Sequence, residues 1–127
     1  MCTASGIYAY AEGTATASGL IAHAEGTATA SGLIAHAESG STASGEASHA
    51  ESGSTASGDY SHAEGEHTRA SSNCSHAEGY GTTASGHASH AEGDGTTTSC
   101  YASHAEGTCN IVDTHAIHSV GIGTNSI

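Results

Sequence analysis

An imidazole and a carboxylate separated by a single alanine recur along almost the whole of this 127-residue chain. The block His-Ala-Glu begins at His23, His36, His49, His62, His76, His90 and His104, and Tyr10-Ala11-Glu12 fills the same slot one unit earlier. The carboxylates are Glu12, Glu25, Glu38, Glu51, Glu64, Glu78, Glu92 and Glu106. Three kinds of chemistry suit such a pair: proton transfer in catalysis, ligation of a transition metal, and mutual hydrogen bonding in a structural ladder. Catalysis fits worst. An active site is a unique geometry, and here no unit departs from the others in the way a reacting centre must. The chain is expected not to be an enzyme and to carry no catalytic residue.

The spacing identifies the elements that must hold these side chains. Successive blocks start 13 residues apart from Tyr10 to His62 and 14 apart from His62 to His104. That period is too short for helical repeats, whose helix pairs need roughly 33–47 residues, and no heptad of large apolar residues is present. Within Ser89-His90-Ala91-Glu92-Gly93 the alternation has period 2. In a strand, Ser, Ala and Gly take one face while His and Glu take the other. A second short run follows each block, as in Thr27-Ala28-Thr29-Ala30-Ser31-Gly32. Two short strands and two tight turns per unit make one coil of a parallel β-solenoid, with coils about 4.8 Å apart. The expected fold class is all-β, a parallel β-roll of 13–14-residue coils.

Stacking turns the repeated pair into two columns, one of imidazoles and one of carboxylates. A column of carboxylates at this spacing repels itself unless donors lie beside it. The preferred reading is that His and Glu hydrogen-bond across an interface between copies of the chain. On that reading each raises the other's charged fraction, so thermal stability peaks in mildly acidic solution. Two other readings are a solvated outer face and capture of transition metals by repeated imidazoles. No dedicated metal ligand and no cofactor is expected. The Thr/Ser runs suggest a further class: Thr14/Thr16, Thr27/Thr29, Thr82/Thr83 and Thr96-Thr97-Thr98 resemble the hydroxyl–methyl arrays with which ice-binding solenoids order water.

Composition narrows the partners. Leu, Ile and Val total 11 of 127 residues, Phe and Trp are absent, and the formal charge is −12. Such a profile usually signals disorder. A disordered chain, however, has no need to keep His, Glu and Gly in phase, and a solenoid satisfies its backbone hydrogen bonds between coils. A roll of this size buries little apolar area, which points to self-association. One basic residue, Arg69, against 13 carboxylates does not neutralise phosphates, so nucleic acid is not an expected partner. No run approaches the roughly 20 apolar residues of a membrane span, so membrane insertion is not expected. Met1-Cys2-Thr3 does not open a signal peptide, leaving assembly inside a cell before release, or a segment of a longer chain. Cys2, Cys74, Cys100 and Cys109 sit at different phases of the repeat without a Cys-x-x-Cys pair. They are expected to be small semi-buried thiols.

In order along the chain, residues 1–9 make an incomplete first coil. Leu20-Ile21 and Leu33-Ile34 then mark the N-terminal coils as the more apolar ones. From His62 onward each coil gains one residue after Glu-Gly, expected to widen a corner and leave the strands in register. The stretch from Glu66 to Cys74 is the least regular, and the largest bulge is expected there. The repeat domain is assigned to residues 1–109. Residues 110–127 form a divergent final coil and cap, or the start of a connection to a following domain, with Thr124 to Ile127 as an interrupted continuation.

Within that segment, Ser119-Val120-Gly121-Ile122-Gly123 resembles the Ser-Val-Ala-Ile-Gly repeat of YadA-type trimeric adhesin heads. Val120 and Ile122 would then occupy the His and Glu slots. The Ser-His-Ala-Glu-Gly units resemble a polar variant of that repeat, found in bacterial and phage fibre proteins. The resemblance implies a left-handed roll, three chains side by side, and a role in surface attachment. It therefore implies a homotrimeric, structural fibre segment on a virion tail or a cell surface, with a host receptor as a possible partner.

Overall fold

The computed structural model describes residues 1–112 and 118–122. The described residues are all-β, in two parallel sheets of nine strands each, and the chain alternates between the sheets at every step. One sheet runs from Thr3–Ala4 through Thr16–Ala17 and its equivalents to Ile111–Val112; the other runs from Tyr10–Ala11 through the His-Ala-Glu strands to His118–Ile122. This is a β-solenoid. The pairing is in phase throughout, with Thr16 opposite Thr29, Thr29 opposite Thr42 and His23 opposite His36. Between coils, the His23 and Glu25 amides donate to the Ala35 and Ala37 carbonyls at 2.8 and 2.9 Å. Corners join the same ladder: Ile34 N–H donates to Leu20 O at 2.9 Å.

The period-2 pattern sorts as its parity dictates. Ala24, Ala37, Ala50, Ala63, Ala77, Ala91 and Ala105 point into the roll and are fully buried, against Ala17, Ala30, Ala43, Ala56, Ala70 and Ala84 of the facing sheet. Each methyl contributes only about 0.8 kcal/mol on burial. The interior is thin, and much of the cohesion comes from hydrogen bonds between coils. The serine before each later His is also buried, yet satisfied: Ser75 Oγ donates to Ser72 O at 2.6 Å and Ser89 Oγ to Gly86 O at 2.7 Å, each closing its own corner. Earlier coils carry Ala22 and Ala35 at this position, where no hydroxyl needs a partner.

Several sequence expectations need correction. The added residue of the 14-residue coils does not only widen a corner. It also lengthens the strand, from two residues in His49–Ala50 to five in His62–Glu66, His76–Tyr80, His90–Asp94 and His104–Thr108. The 66–74 stretch, where the largest bulge is expected, causes no break in the sheets: Arg69 and Ala70 pair in register on both sides, and the corner Ser72-Asn73-Cys74 has the same turn as its neighbours. Cys2, Cys74 and Cys109 are exposed, and Cys100 alone is half-buried. Thr82, Thr96 and Thr98 point inward and are buried. Thr14 and Thr27 face outward beside Thr16 and Thr29, so hydroxyls stand two abreast in those two coils. Beyond them the outward file narrows to one strand side chain per coil, Thr42, Thr55, Arg69, Thr83, Thr97 and Ile111.

The last coil carries the largest correction. Both sheets run on into the divergent segment, and His118 lies opposite His104, Ser119 opposite Ala105, Val120 opposite Glu106 and Ile122 opposite Thr108. Val120 thus takes the Glu slot, Ile122 lies beyond it, and the His slot is filled by His118. The interrupted continuation expected at residues 124–127 lies outside the described residues.

Candidate functional site

The His and Glu columns form a ribbon on the outer face of one sheet. Parity puts both side chains outside, and strict register stacks like on like. From His23 to His104 the imidazoles stack nearly parallel, with ring centroids 4.6–4.9 Å apart. Tyr10 closes one end edge-on at 5.0 Å and His118 the other at 4.9 Å. All seven sequence-expected histidines and their glutamates therefore lie on one surface. His118 was missed, although it stands 14 residues after His104, the spacing of the preceding coils.

The two halves of the ribbon pair differently. In the 13-residue coils each His approaches the Glu of its own coil: His23–Glu25 at 2.9 Å, His36–Glu38 at 3.1 Å and His49–Glu51 at 3.1 Å. Further along, Glu78 and Glu92 each bridge successive rings, Glu78 reaching His76 at 3.5 Å and His90 at 3.8 Å, and Glu92 reaching His90 at 3.6 Å and His104 at 3.5 Å. Glu51 does the same where the coil length changes, reaching His62 at 4.0 Å. None of these contacts has the alignment of a hydrogen bond. The Nε2 atoms of His23, His36, His49, His62, His76, His90 and His104 are each occluded from solvent and lack a hydrogen-bond partner, though the side chains remain 30–38% exposed. Beside Glu64, Glu78, Glu92 and Glu106 runs an open groove of about 710 Å³, floored by Gly79, Gly93, Gly107 and Gly121 and ended by Val120. Nothing in the periodicity of the chain marks this groove, because it arises from the glycine file lying beside the carboxylates.

Comparison with known protein families gives no matching model, and comparison with curated proteins gives no match. The chemistry of the ribbon is therefore read from its own geometry.

Within the single chain, His36, His76, His90 and Glu78 shift opposite to the direction that His–Glu pairing would give, and Glu92 shifts with it. His36, His76 and His90 titrate below the ordinary imidazole value, first because burial disfavours the imidazolium and then because neighbouring imidazoles oppose a second charge. The nearby carboxylates act in the other direction and do not prevail. Glu78 is pushed up to about 7, first by a proton shared with Glu92, then by burial and by Glu64. Glu92 is correspondingly lowered by its hydrogen bonds with Glu78 and Glu106. Carboxylates stacked this closely relieve their repulsion by retaining a proton.

A pH dependence follows, with two opposing parts. A lowered His contributes stability that is full above its unfolded value near 6.5 and is lost as pH falls from there through the lower folded value. A raised Glu78 contributes stability below its unfolded value near 4.5 and loses it as pH rises toward 7. In chelator-treated protein the two parts offset one another between pH 5 and 7. Glu78→Gln removes the second part and relieves the repulsion with Glu64 and Glu92, while His76 and His90 still face it. Its Tm is expected to exceed wild type by about 2–4 °C at pH 8, less at 1 M salt, and to fall more steeply on acidification. A variant with the same pH profile as wild type would show that no proton is held at Glu78.

Proposed function

We propose that this chain is a non-enzymatic, rod-like segment of a homotrimeric fibre, of the kind found in phage tail fibres and bacterial surface adhesins. Its role on this reading is mechanical, holding an attachment element away from a virion or cell. One observation carries the proposal. Ile7, Tyr8, Leu20, Ile21, Leu33 and Ile34 form an apolar ridge on successive N-terminal corners, exposed by 38–84%. Ile21 and Ile34 also hold φ near +60°, a conformation that β-branched residues adopt only at a cost. The exposed apolar surface gains from being covered, and a backbone held in this conformation keeps those side chains pointing outward. The charge and the thin alanine interior favour the same solution, since association adds buried area that the single roll lacks.

The test is the mass in solution. Light scattering is expected to give about three times the 12.3-kDa chain mass, and Leu20→Ser with Leu33→Ser is expected to shift the population to monomer while keeping a β-type circular dichroism spectrum. A wild-type chain that stays monomeric at high micromolar concentration overturns the fibre reading.

A further inference from the structure

We propose that the His/Glu ribbon binds divalent transition-metal ions, of the Zn²⁺, Ni²⁺ or Cu²⁺ class, in a row along the rod. Each ion would be held by two successive imidazoles and one carboxylate. The proposal does not depend on the fibre reading.

The geometry supplies the ligands in sets. Five groups, His23/Glu25/His36, His36/Glu38/His49, His49/Glu51/His62, His76/Glu78/His90 and His90/Glu92/His104, each bring one donor atom per residue within 4.8 Å of the others. Zinc bonds of about 2.0–2.2 Å hold tetrahedral donors about 3.3 Å apart. The donors therefore need to close by no more than about 1.5 Å, within reach of side-chain rotation on a fixed backbone. Imidazole nitrogen and carboxylate oxygen together suit this class of ion better than Mg²⁺ or Ca²⁺, which prefer all-oxygen sites.

Two features of the ribbon are otherwise unexplained. The Nε2 atoms of all these rings are occluded and make no aligned hydrogen bond, although a carboxylate oxygen lies near each, whereas buried polar atoms ordinarily find partners. An ion accepts their lone pairs directly. The carboxylate column has no lysine or arginine on its face, in a chain of net charge −12, and a divalent ion neutralises it. Two imidazoles and one carboxylate leave a tetrahedral ion one position for water or an outside ligand.

Sharing sets the capacity. Each Nε2 serves one ion, and His36, His49 and His90 each belong to two of the groups. The largest set without a shared residue is His23/Glu25/His36, His49/Glu51/His62 and one of the two groups containing His90, which makes three ions per chain.

The experiment is titration of the chelator-treated full chain with Zn²⁺ by calorimetry, with bound metal counted by elemental analysis after gel filtration. The expected result is three ions per chain and a rise in Tm. His49→Phe keeps a flat ring in the stack but removes its donor, and is expected to lower the count to two. Glu51→Gln leaves the rings untouched and is expected to lower it to two as well. His87→Phe, at a corner where His87 stacks on Tyr101 outside the ribbon, is expected to keep three. Bound Co²⁺ should show the intense visible bands of tetrahedral coordination. Absence of saturable uptake by the wild type overturns the proposal. So does a count that falls equally with His87→Phe, which would mean scattered surface imidazoles, or one unmoved by both ribbon variants.

Discussion

Gly79→Ala is expected to unfold the C-terminal coils, at a cost of about 3–5 kcal/mol, while Gly81→Ala at the same corner costs about 1 kcal/mol. Both glycines have positive φ, and the difference lies in what surrounds them. At Gly79 φ is +105°, outside the left-handed helical well, and a Cβ would lie 2.1 Å from the Gly93 carbonyl oxygen of the next coil. That obstacle is backbone, itself paired to a further coil, so relief requires the stack to part. Gly81 sits at φ +63° with nothing within 4 Å of an added Cβ. The equivalent positions already hold His67 at φ 61° and Cys109 at φ 51°, so a side chain is tolerated there. Because coils interact with nearest neighbours, Gly79→Ala should melt the C-terminal coils ahead of the N-terminal ones. Urea or thermal melting of the two variants decides the matter, and equal losses would refute the close approach of the glycine file.

Ala77→Leu is expected to be comparably damaging, at roughly 3 kcal/mol or more, the upper end of the cost of overpacking. Ala77 is fully buried, in register with Ala63 and Ala91, within a cluster of buried alanines from both sheets. No rotamer of leucine fits between sheets spaced for methyl groups, and moving one strand breaks pairing on both its sides. Ala84→Val should cost much less. The next two inward positions of its column hold Thr98 and Val112, so that end of the roll already admits larger side chains. Ser75→Ala should cost only about 1 kcal/mol, the net worth of the Ser72 hydrogen bond. Chemical denaturation of the three variants gives the order, and an Ala77→Leu protein as stable as Ala84→Val would show the interior to be wider than described.

Much of this architecture is legible in the chain. A strict 13- or 14-residue phase carried by His, Glu and Gly has one economical explanation, coils that stack like on like. The small residues on the opposite parity then specify an interior with room for nothing larger than Ala or Ser in most coils. The imidazole spacing follows from strand spacing alone, and the rings do lie 4.6–4.9 Å apart. The length change at His62 is equally plain in the sequence. Its structural meaning was not, because an added residue can enter a corner or extend a strand, and only pairing across Gly65, Gly79 and Gly93 distinguishes the two.

The sequence by itself determined the all-β stacked repeat, its inner and outer faces, and the coming together of His and Glu on one surface. Periodicity and parity are local properties of the chain, and they suffice for these. Tertiary structure alone decided the final coil, where a motif match placed Val120 in the His slot and the sheet places it opposite Glu106. A shift of two residues preserves strand parity, so alternation cannot detect it and only hydrogen bonding to the neighbouring coil can. It also decided the electrostatics. Whether an imidazole beside a carboxylate is raised or lowered depends on how far its ring is buried and how its N–H is aimed. Here the stacked neighbours cover Nε2, the nearby carboxylates lie out of line for a hydrogen bond, and burial wins over charge at His36, His76 and His90.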